Sequence, residues 1–336
     1  MSDKFLERLE ALEAKIQKAN ITPENLHGSL TAEQSDVFLS AVMDVTDGFL
    51  GKLTVVRMSK LKKDIDVLGL ATRVLRRVAQ GSKPTDDDWT AFNPKPKTLY
   101  AKDAQLFARI LKDTIRDNKN RPDLASFLLD KMGTQYRNDM VDLACNGNAD
   151  TYDNNADNDV RFLSLHKGYY QLALDSADTH KVSLNPVGGD DLRMASTTDT
   201  QYVITVYEKM LDALPDKWDT DELVLIQAKA HIRKFNRILR NAGLDNGRIE
   251  VVEKGNLISF FEDVELVRGP KMPTDRYILT PAWNLYFGIN DNIELDRGYD
   301  IEERAWKYVW DASFDFEFAI DDAVVVAGPE ADVNPV

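Results

Sequence analysis

Cysteine is almost missing from this sequence: Cys145 stands alone among 336 residues. One thiol closes no intramolecular disulfide and offers no paired-cysteine metal spacing, so it reads as a buried thiol. Histidine is sparse as well. The four present, His27, His166, His180 and His231, are scattered, and each reads as a packed or surface histidine and not as a metal ligand. Long apolar runs are lacking too. The longest, such as Val324 to Ala327 and Leu223 to Ile226, fall far short of the roughly 20 residues that span a bilayer, so no membrane-crossing segment is expected. Met1-Ser2-Asp3-Lys4 leads straight into an amphipathic pattern, without the charged start and apolar block of a secretory signal, and a cytosolic origin is the expectation. There is no phosphate loop ending in Gly-Lys-Ser/Thr, no His-Glu-x-x-His and no Gly-x-Ser-x-Gly. The chain therefore reads as a non-enzyme with no catalytic residue, no metal and no cofactor. A cytosolic enzyme whose site is assembled from distant residues is the alternative.

What is present is charge, unevenly placed. The net charge is -14, yet between Lys52 and Lys102 twelve bases stand against five acids, a local +7 that leaves the remainder at -21. The basic stretch holds Lys60, Lys62, Lys63, Arg73, Arg76, Arg77, Lys83, Lys95 and Lys97. Its apolar runs are short (53–56, 65–70 and 74–78), and Gly81-Ser82-Lys83-Pro84 and Asn93-Pro94-Lys95-Pro96 read as proline-bearing breaks. Such a stretch closes no core of its own and reads as a long, extended hairpin lying on something else. Three readings of its charge stand open: a solvated surface strand, a nucleic-acid contact, or a basic arm reaching across the acidic surface of an identical neighbour. Nucleic acid would want interleaved aromatics, and only Trp89, Phe92 and Tyr100 occur, near its end. The third reading fits the charge asymmetry best. Asp86-Asp87-Asp88 reads as a soluble loop tip in preference to a metal or acid/base cluster.

Around this stretch the apolar period is mostly helical. Phe5, Leu9, Leu12, Ile16 and Ala19 form a short heptad seam, and Thr31 with Gln34 makes a capping box before a second helix carrying Val37, Phe38, Ala41, Val42 and Val45. Both pack either in their own core or against a neighbour. Leu106, Phe107, Ile110, Leu111 and Ile115 predict a helix from Ala104. Another opens at Pro122 and runs through Leu124, Phe127, Leu128, Met132, Tyr136, Met140 and Leu143 to Asn146-Gly147, about 24 residues and roughly 36 Å. In the polar loop that follows, Asp153, Asn155, Asp157 and Asp159 have calcium-loop spacing. Asn158 stands where glycine is needed and Ser164 where a bidentate glutamate should be, which favours a solvated turn. A separate α/β block begins near Thr198. It has a helix stopped by Pro215, a strand at Leu223 to Ile226, a helix to Asn241, and strands at Ile249 to Val252 and Leu257 to Phe261. Near the C-terminus Trp306, Tyr308, Trp310, Ala312, Phe314, Phe316, Phe318 and Ile320 take every second position, predicting one strand of about 15 residues, roughly 50 Å. A long strand beside a long helix points to an elongated wall, not a pocket.

In order, then, come a hairpin arm, a long helix, the Asn146-Gly147 turn, a variable loop, Lys167-Gly168-Tyr169, and later Ile278-Leu279-Thr280-Pro281 with Asn284-Leu285-Tyr286. Between about Phe49 and Ala327 this series resembles the major capsid proteins of tailed phages, whose shared fold is the Hong Kong 97 fold, and the peduovirus-type capsid family looks nearest. The resemblance implies an α+β chain with an N-terminal helical arm (1–48), an extended loop (49–103), a peripheral domain with the spine helix (104–195), an axial α/β domain (196–270), and peripheral return strands with a C-terminal tail (271–336). In that family axial domains meet at the capsomer centre and the extended loop overlaps the next subunit, so the nine basic residues become expected intersubunit contacts. It also implies self-assembly into pentamers and hexamers, an icosahedral shell around double-stranded DNA held without sequence-specific binding, and portal, scaffolding or decoration proteins as partners. The location would be the virion, with assembly in the host cytoplasm and no membrane. Family members often place a scaffolding or proteolytically removed segment at the N-terminus, and some form covalent crosslinks, for which no motif here assigns residues. An encapsulin-type nanocompartment shares the fold and is the nearest alternative.

Overall fold

A computed structural model describes residues 27–29, 48–69, 93–113, 124–151, 157–194, 201–219, 222–241, 260–269, 271–290 and 294–334. Its elements, in chain order, are strands β1 (His27–Ser29), β2 (Thr54–Met58), β3 (Lys62–Gly69), β4 (Asn93–Tyr100) and β5 (Lys102–Leu111), then helices α1 (Leu124–Asn146), α2 (Asn158–Leu163) and α3 (Tyr169–Asp175). Strand β6 (His180–Ser183), helix α4 (Tyr202–Ala213), strand β7 (Leu223–Gln227) and helix α5 (Lys229–Asn241) follow. The remainder comprises β8 (Phe260–Phe261), β9 (Val264–Arg268), β10 (Tyr277–Pro281), β11 (Leu285–Asn290), β12 (Glu294–Asp300), β13 (Ala305–Phe318), β14 (Val325–Gly328) and helix α6 (Glu330–Val333). The heptad helix at Phe5 to Ala19, the helix after Thr31, the run Val74 to Val78, the Asp86-Asp87-Asp88 tip and the strand Ile249 to Val252 all lie outside the described residues. So do Asp153 and Asn155 of the calcium-like spacing.

The expected long strand is β13, 14 residues and about 46 Å at the usual rise. Its length lets it serve three partners. Antiparallel β12 pairs with its first half and β11 with its last five residues on one edge, while β5 runs antiparallel along the opposite edge from Leu111 to Lys102. β2 joins parallel to β11, and β1 pairs with β12. The helix expected from Ala104 is thus a strand. Leu106, Phe107, Ile110 and Leu111 fall at a spacing that suits a helix face, but the open edge of β13 offers a ladder of ten residue pairs, and tertiary pairing overrides the local pattern. Asn93-Pro94-Lys95-Pro96 is likewise no break: it starts β4, which pairs with β3 from Asn93 opposite Gly69 to Tyr100 opposite Lys62. Two residues apart, Pro94 and Pro96 have their missing N–H groups on the same side of the strand, the side with no ladder to feed in this two-stranded ribbon.

The second sheet runs β6-β14-β10-β7-β9-β8. Its central strands β7 and β10 are buried at every position, because both faces are covered. On one face α4 lies over β6 and β14 and α5 over β9, closing a core of Tyr202, Val206, Met210, Phe235, Leu225 and Tyr277. On the other, Val224, Ile226 and Ile278 share one apolar cluster with Met140 and Leu143 of α1, Tyr169 of α3, and Phe287, Phe314 and Phe316 of the first sheet. β6, β10 and β14 come from outside residues 196–270.

The chain passes from the second sheet to the first between β10 and β11 and returns between β13 and β14, and a single buried amide ties the two crossings. Asn284 donates from Nδ2 to Thr280 Oγ1 (3.0 Å) and to the Ile320 carbonyl (2.9 Å), while its Oδ1 accepts the Ile320 N–H (2.7 Å). The end of α1 is anchored by a backbone contact that excludes side chains. Gly147 N–H donates to the Leu143 carbonyl and Gly168 N–H to the Gly147 carbonyl, each at 2.8 Å. A β-carbon on Gly168 would stand 2.6 Å from the Leu143 carbonyl oxygen, and one on Gly147 would stand 2.5 Å from that of His166.

Asn284→Leu removes the partner of the part-buried Ile320 N–H and the shorter of the two bonds to its carbonyl, and is expected to cost about 2 kcal/mol, read as a lower urea midpoint at unchanged slope. Gly168→Ala, in which backbone must move, is expected to cost a similar amount, about 2–3 kcal/mol. A melting temperature equal to that of the unaltered protein would contradict either assignment.

Candidate functional site

The charge pattern directs attention to the basic hairpin. Of its nine singled-out residues, Lys60, Lys62 and Lys63 are exposed at the β2–β3 turn and the start of β3, and Lys97 is partly buried on β4. Lys95 has a described backbone in β4, while Arg73, Arg76, Arg77 and Lys83 lie outside the described residues. Lys62 stands over the Tyr100 ring, 5.0 Å from its centroid, and Lys63 Nζ donates to the Arg57 carbonyl (2.8 Å).

The root of the hairpin is fastened to the body. Met58, Ile65, Leu99 and Ala101 form a small buried cluster with Val56 and Tyr286 alongside. It seats on β11 because position 288 is glycine: a β-carbon there would be 2.8 Å from Met58 Sδ and 2.9 Å from Leu99 Cδ1. Tyr100 N–H donates to Asp315 Oδ2 (2.7 Å), so the hairpin hydrogen-bonds to a side chain of β13. Lys97 completes the clamp by donating to Asp321 Oδ2 (2.7 Å), with Glu317 Oε1 at 3.6 Å; Ser176 Oγ donates to the same Asp321 oxygen (2.8 Å). Lys97 is thereby engaged within its own chain.

Burial sets the electrostatics of this seam. It works to lower the pKa of Lys97, but the hydrogen bond to Asp321 and the charges of Glu317 and Asp321 outweigh it and hold the ammonium above the ordinary lysine range. Burial pushes Glu317 up to about 7 against the pull of Lys97, and raises Asp315 against the N–H bonds it accepts. Beneath them His166 is fully covered, stacked on Phe314 at 4.5 Å, and neither ring nitrogen has a hydrogen-bond partner. Burial, aided by Lys102, brings it down to about 4, so at neutral pH it is uncharged and its 3.8 Å approach to Asp315 is not an ion pair.

Sequence reasoning missed the partners of this clamp. Asp315 and Glu317 were legible as the polar side of the long strand, but nothing local pairs them with a segment more than 200 residues earlier. It also missed the ribbon end opposite the clamp, where the tip of β5, β12 and β13 exposes apolar groups on both faces: Phe107 is 70% exposed and Ile301 81%, with Leu111, Tyr299 and Trp306 nearby. His231 is a core residue: its Nδ1 meets the Tyr202 and Tyr277 hydroxyls at 3.1 and 2.9 Å, and its Nε2 meets the Thr274 carbonyl at 2.7 Å. Among the described residues no cluster of histidine, cysteine and carboxylates is disposed to hold a metal ion, and no helix is long and apolar enough to cross a membrane.

No family model and no curated protein matches the chain. Solved structures do. A chain of the satellite phage P4 procapsid that includes the size determination protein superposes with a TM-score of 0.63 at 13% identity, over 88% of this chain and 98% of that one. The capsid of an empty GTA particle gives 0.54 at 12%, over 95% and 97%, and a virus-like particle from Pyrococcus furiosus gives 0.50 at 11%, over 88% and 98%. The architecture is therefore the α+β class these shells are built from. The chain has the fold of tailed-phage major capsid proteins, the Hong Kong 97 fold.

Glu317 yields a pH test. Its folded pKa lies above its ordinary 4.5, so its contribution is greatest below pH 4.5 and is lost as pH rises through about 7; His166, displaced downward, acts in the opposite sense as pH falls from 6.5 to about 4. Glu317→Gln should gain about 2 kcal/mol relative to the unaltered protein at pH 8 and nothing at pH 4. Parallel denaturation curves for the two proteins across that range would refute the buried-carboxyl account.

Proposed function

We propose that the protein is the major capsid protein of a tailed phage, many copies of which form pentamers and hexamers that close into an icosahedral shell around double-stranded DNA. The observation that supports this is the match to a P4 procapsid chain over 88% of this chain and 98% of that one. Residues 1–48 would serve as the N-terminal arm, 49–103 as the extended loop, 104–195 and 271–336 as the peripheral domain, and 196–270 as the axial domain. A basic hairpin fastened at its root, on a chain with a net charge of -14, favours docking of its outer part on the acidic surface of the adjacent copy. Lys60, Lys62, Lys63, Arg73, Arg76, Arg77, Lys83 and Lys95 would make that contact, with Lys97 holding the root. The protein acts structurally, in the virion, after assembly in the host cytoplasm. Its DNA is enclosed without sequence readout, and portal and scaffolding or decoration proteins complete the head. The likeness to a virus-like particle supports a second reading, a nanocompartment shell around protein cargo.

Electron microscopy of the purified, overexpressed protein should show closed shells or rings of five and six; a dispersed monomer at high concentration would sink both shell readings. Reversal of Arg73, Arg76 and Arg77 to glutamate should reduce shell yield by at least about tenfold, the loss expected when attraction at a charged contact becomes repulsion. Nucleic acid inside particles from infected cells, against a single protein species, separates phage head from nanocompartment.

A further inference from the structure

The hairpin is not the only basic feature on this acidic chain. Helix α5 carries Lys229, Arg233, Lys234, Arg237 and Arg240 and no acidic residue. Ile232 and Phe235 turn to the sheet and Lys234 lies over the Tyr202 ring of α4 at 4.3 Å, while Lys229, Arg233 and Arg237, spaced four apart, are exposed. Like charges at that spacing repel along a helix, and nothing on α5 relieves them. Helix α4 bears the complement. Glu208 and Asp212 are exposed four apart, and Asp216, Asp219 and Glu222 are exposed just beyond the helix end. Of the two lysines in that stretch, Lys209 and Lys217, the second is already paired with Asp322. Among the described residues no ion pair engages Lys229, Arg233, Arg237, Glu208 or Asp212. Helices α4 and α5 adjoin on one face of the second sheet, α4 over β6 and β14 toward one end of the strand order and α5 over β9 toward the other, so the two stripes belong to different ends of that face.

We infer that they are the two halves of one contact, in which the α5 stripe of one copy docks on the α4 stripe of the next. A contact between two different patches is heterologous, and it closes into a ring when the rotation per copy divides the circle. The inference rests on the capsid reading and says what joins the copies within a capsomer. A polyanion is the competing occupant of α5, but a matching acidic stripe is carried by the same chain.

A charge swap in the full-length protein decides it. Arg233→Glu with Arg237→Glu, and separately Glu208→Lys with Asp212→Lys, should each cut the assembled fraction by at least about tenfold at low salt while leaving circular dichroism unchanged. The fourfold variant should recover assembly. An equal mixture of the two reversals should form only even-membered rings, since unlike copies must alternate. Reversals that assemble normally, or a folded fourfold variant that stays dispersed, would overturn the inference. Particles formed at normal yield but retaining less DNA would also overturn it, and would give the α5 stripe to nucleic acid. Unaltered protein that forms rings without closing them would sink the shell yet leave the swap readable; unaltered protein that remains monomeric would sink both.

Discussion

The whole arrangement depends on two sheets sharing one apolar layer while the chain crosses directly between them at β10–β11 and again at β13–β14. Neither sheet has enough of its own cover there: the inner face of the second is completed by the phenylalanines of β11 and β13, and both need α1 and α3 above them. At each crossing the backbone leaves one ladder before it enters the other, and its polar groups are buried with no strand to take them. Asn284 links the two crossings: an amide both donates and accepts, so it serves the N–H and carbonyl of Ile320 at the second while holding the Thr280 hydroxyl at the first. Buried polar groups of this kind define geometry more than they add stability. An apolar residue of the same size could fill the space but would leave the crossings free to slide.

From that frame the hairpin is held at its root and nowhere else among the described residues. Its hold combines a small apolar cluster, one backbone-to-carboxylate bond and one lysine shared by Asp321 and Glu317. The seam concentrates acids in a partly buried place, and Lys97 is the cation that makes it tolerable.

Much of this was legible from residues alone. The alternation from Trp306 to Phe318 gave β13 because a half-buried strand has a period no other element shares, and the run from Leu124 to Asn146 gave α1 for the matching reason. The unequal distribution of lysine and arginine located the hairpin. The strand β5 was hidden because Leu106, Phe107, Ile110 and Leu111 follow a helical spacing and, as a strand, divide between its two faces; only the edge of β13, two hundred residues away, decides the outcome. The prolines of β4 look like breaks in the sequence, whereas on an edge strand the position of each missing N–H matters more than its absence. The clamp was invisible for the same reason as β5: Lys97, Asp315, Glu317 and Asp321 are joined by topology, not by spacing. The α5 stripe was overlooked because its charge is diluted in the chain total.

β13 has one more consequence. It is a single covalent backbone running from the apolar ribbon tip, through the shared core, to the carboxylates that receive the hairpin, with neighbours hydrogen-bonded to both edges. A pull along its axis loads those bonds in parallel, so they must yield together, whereas a pull across it would open them one at a time. Such a strand acts as a reinforcing fibre along the molecule, and the tip and the hairpin root move as one rigid piece.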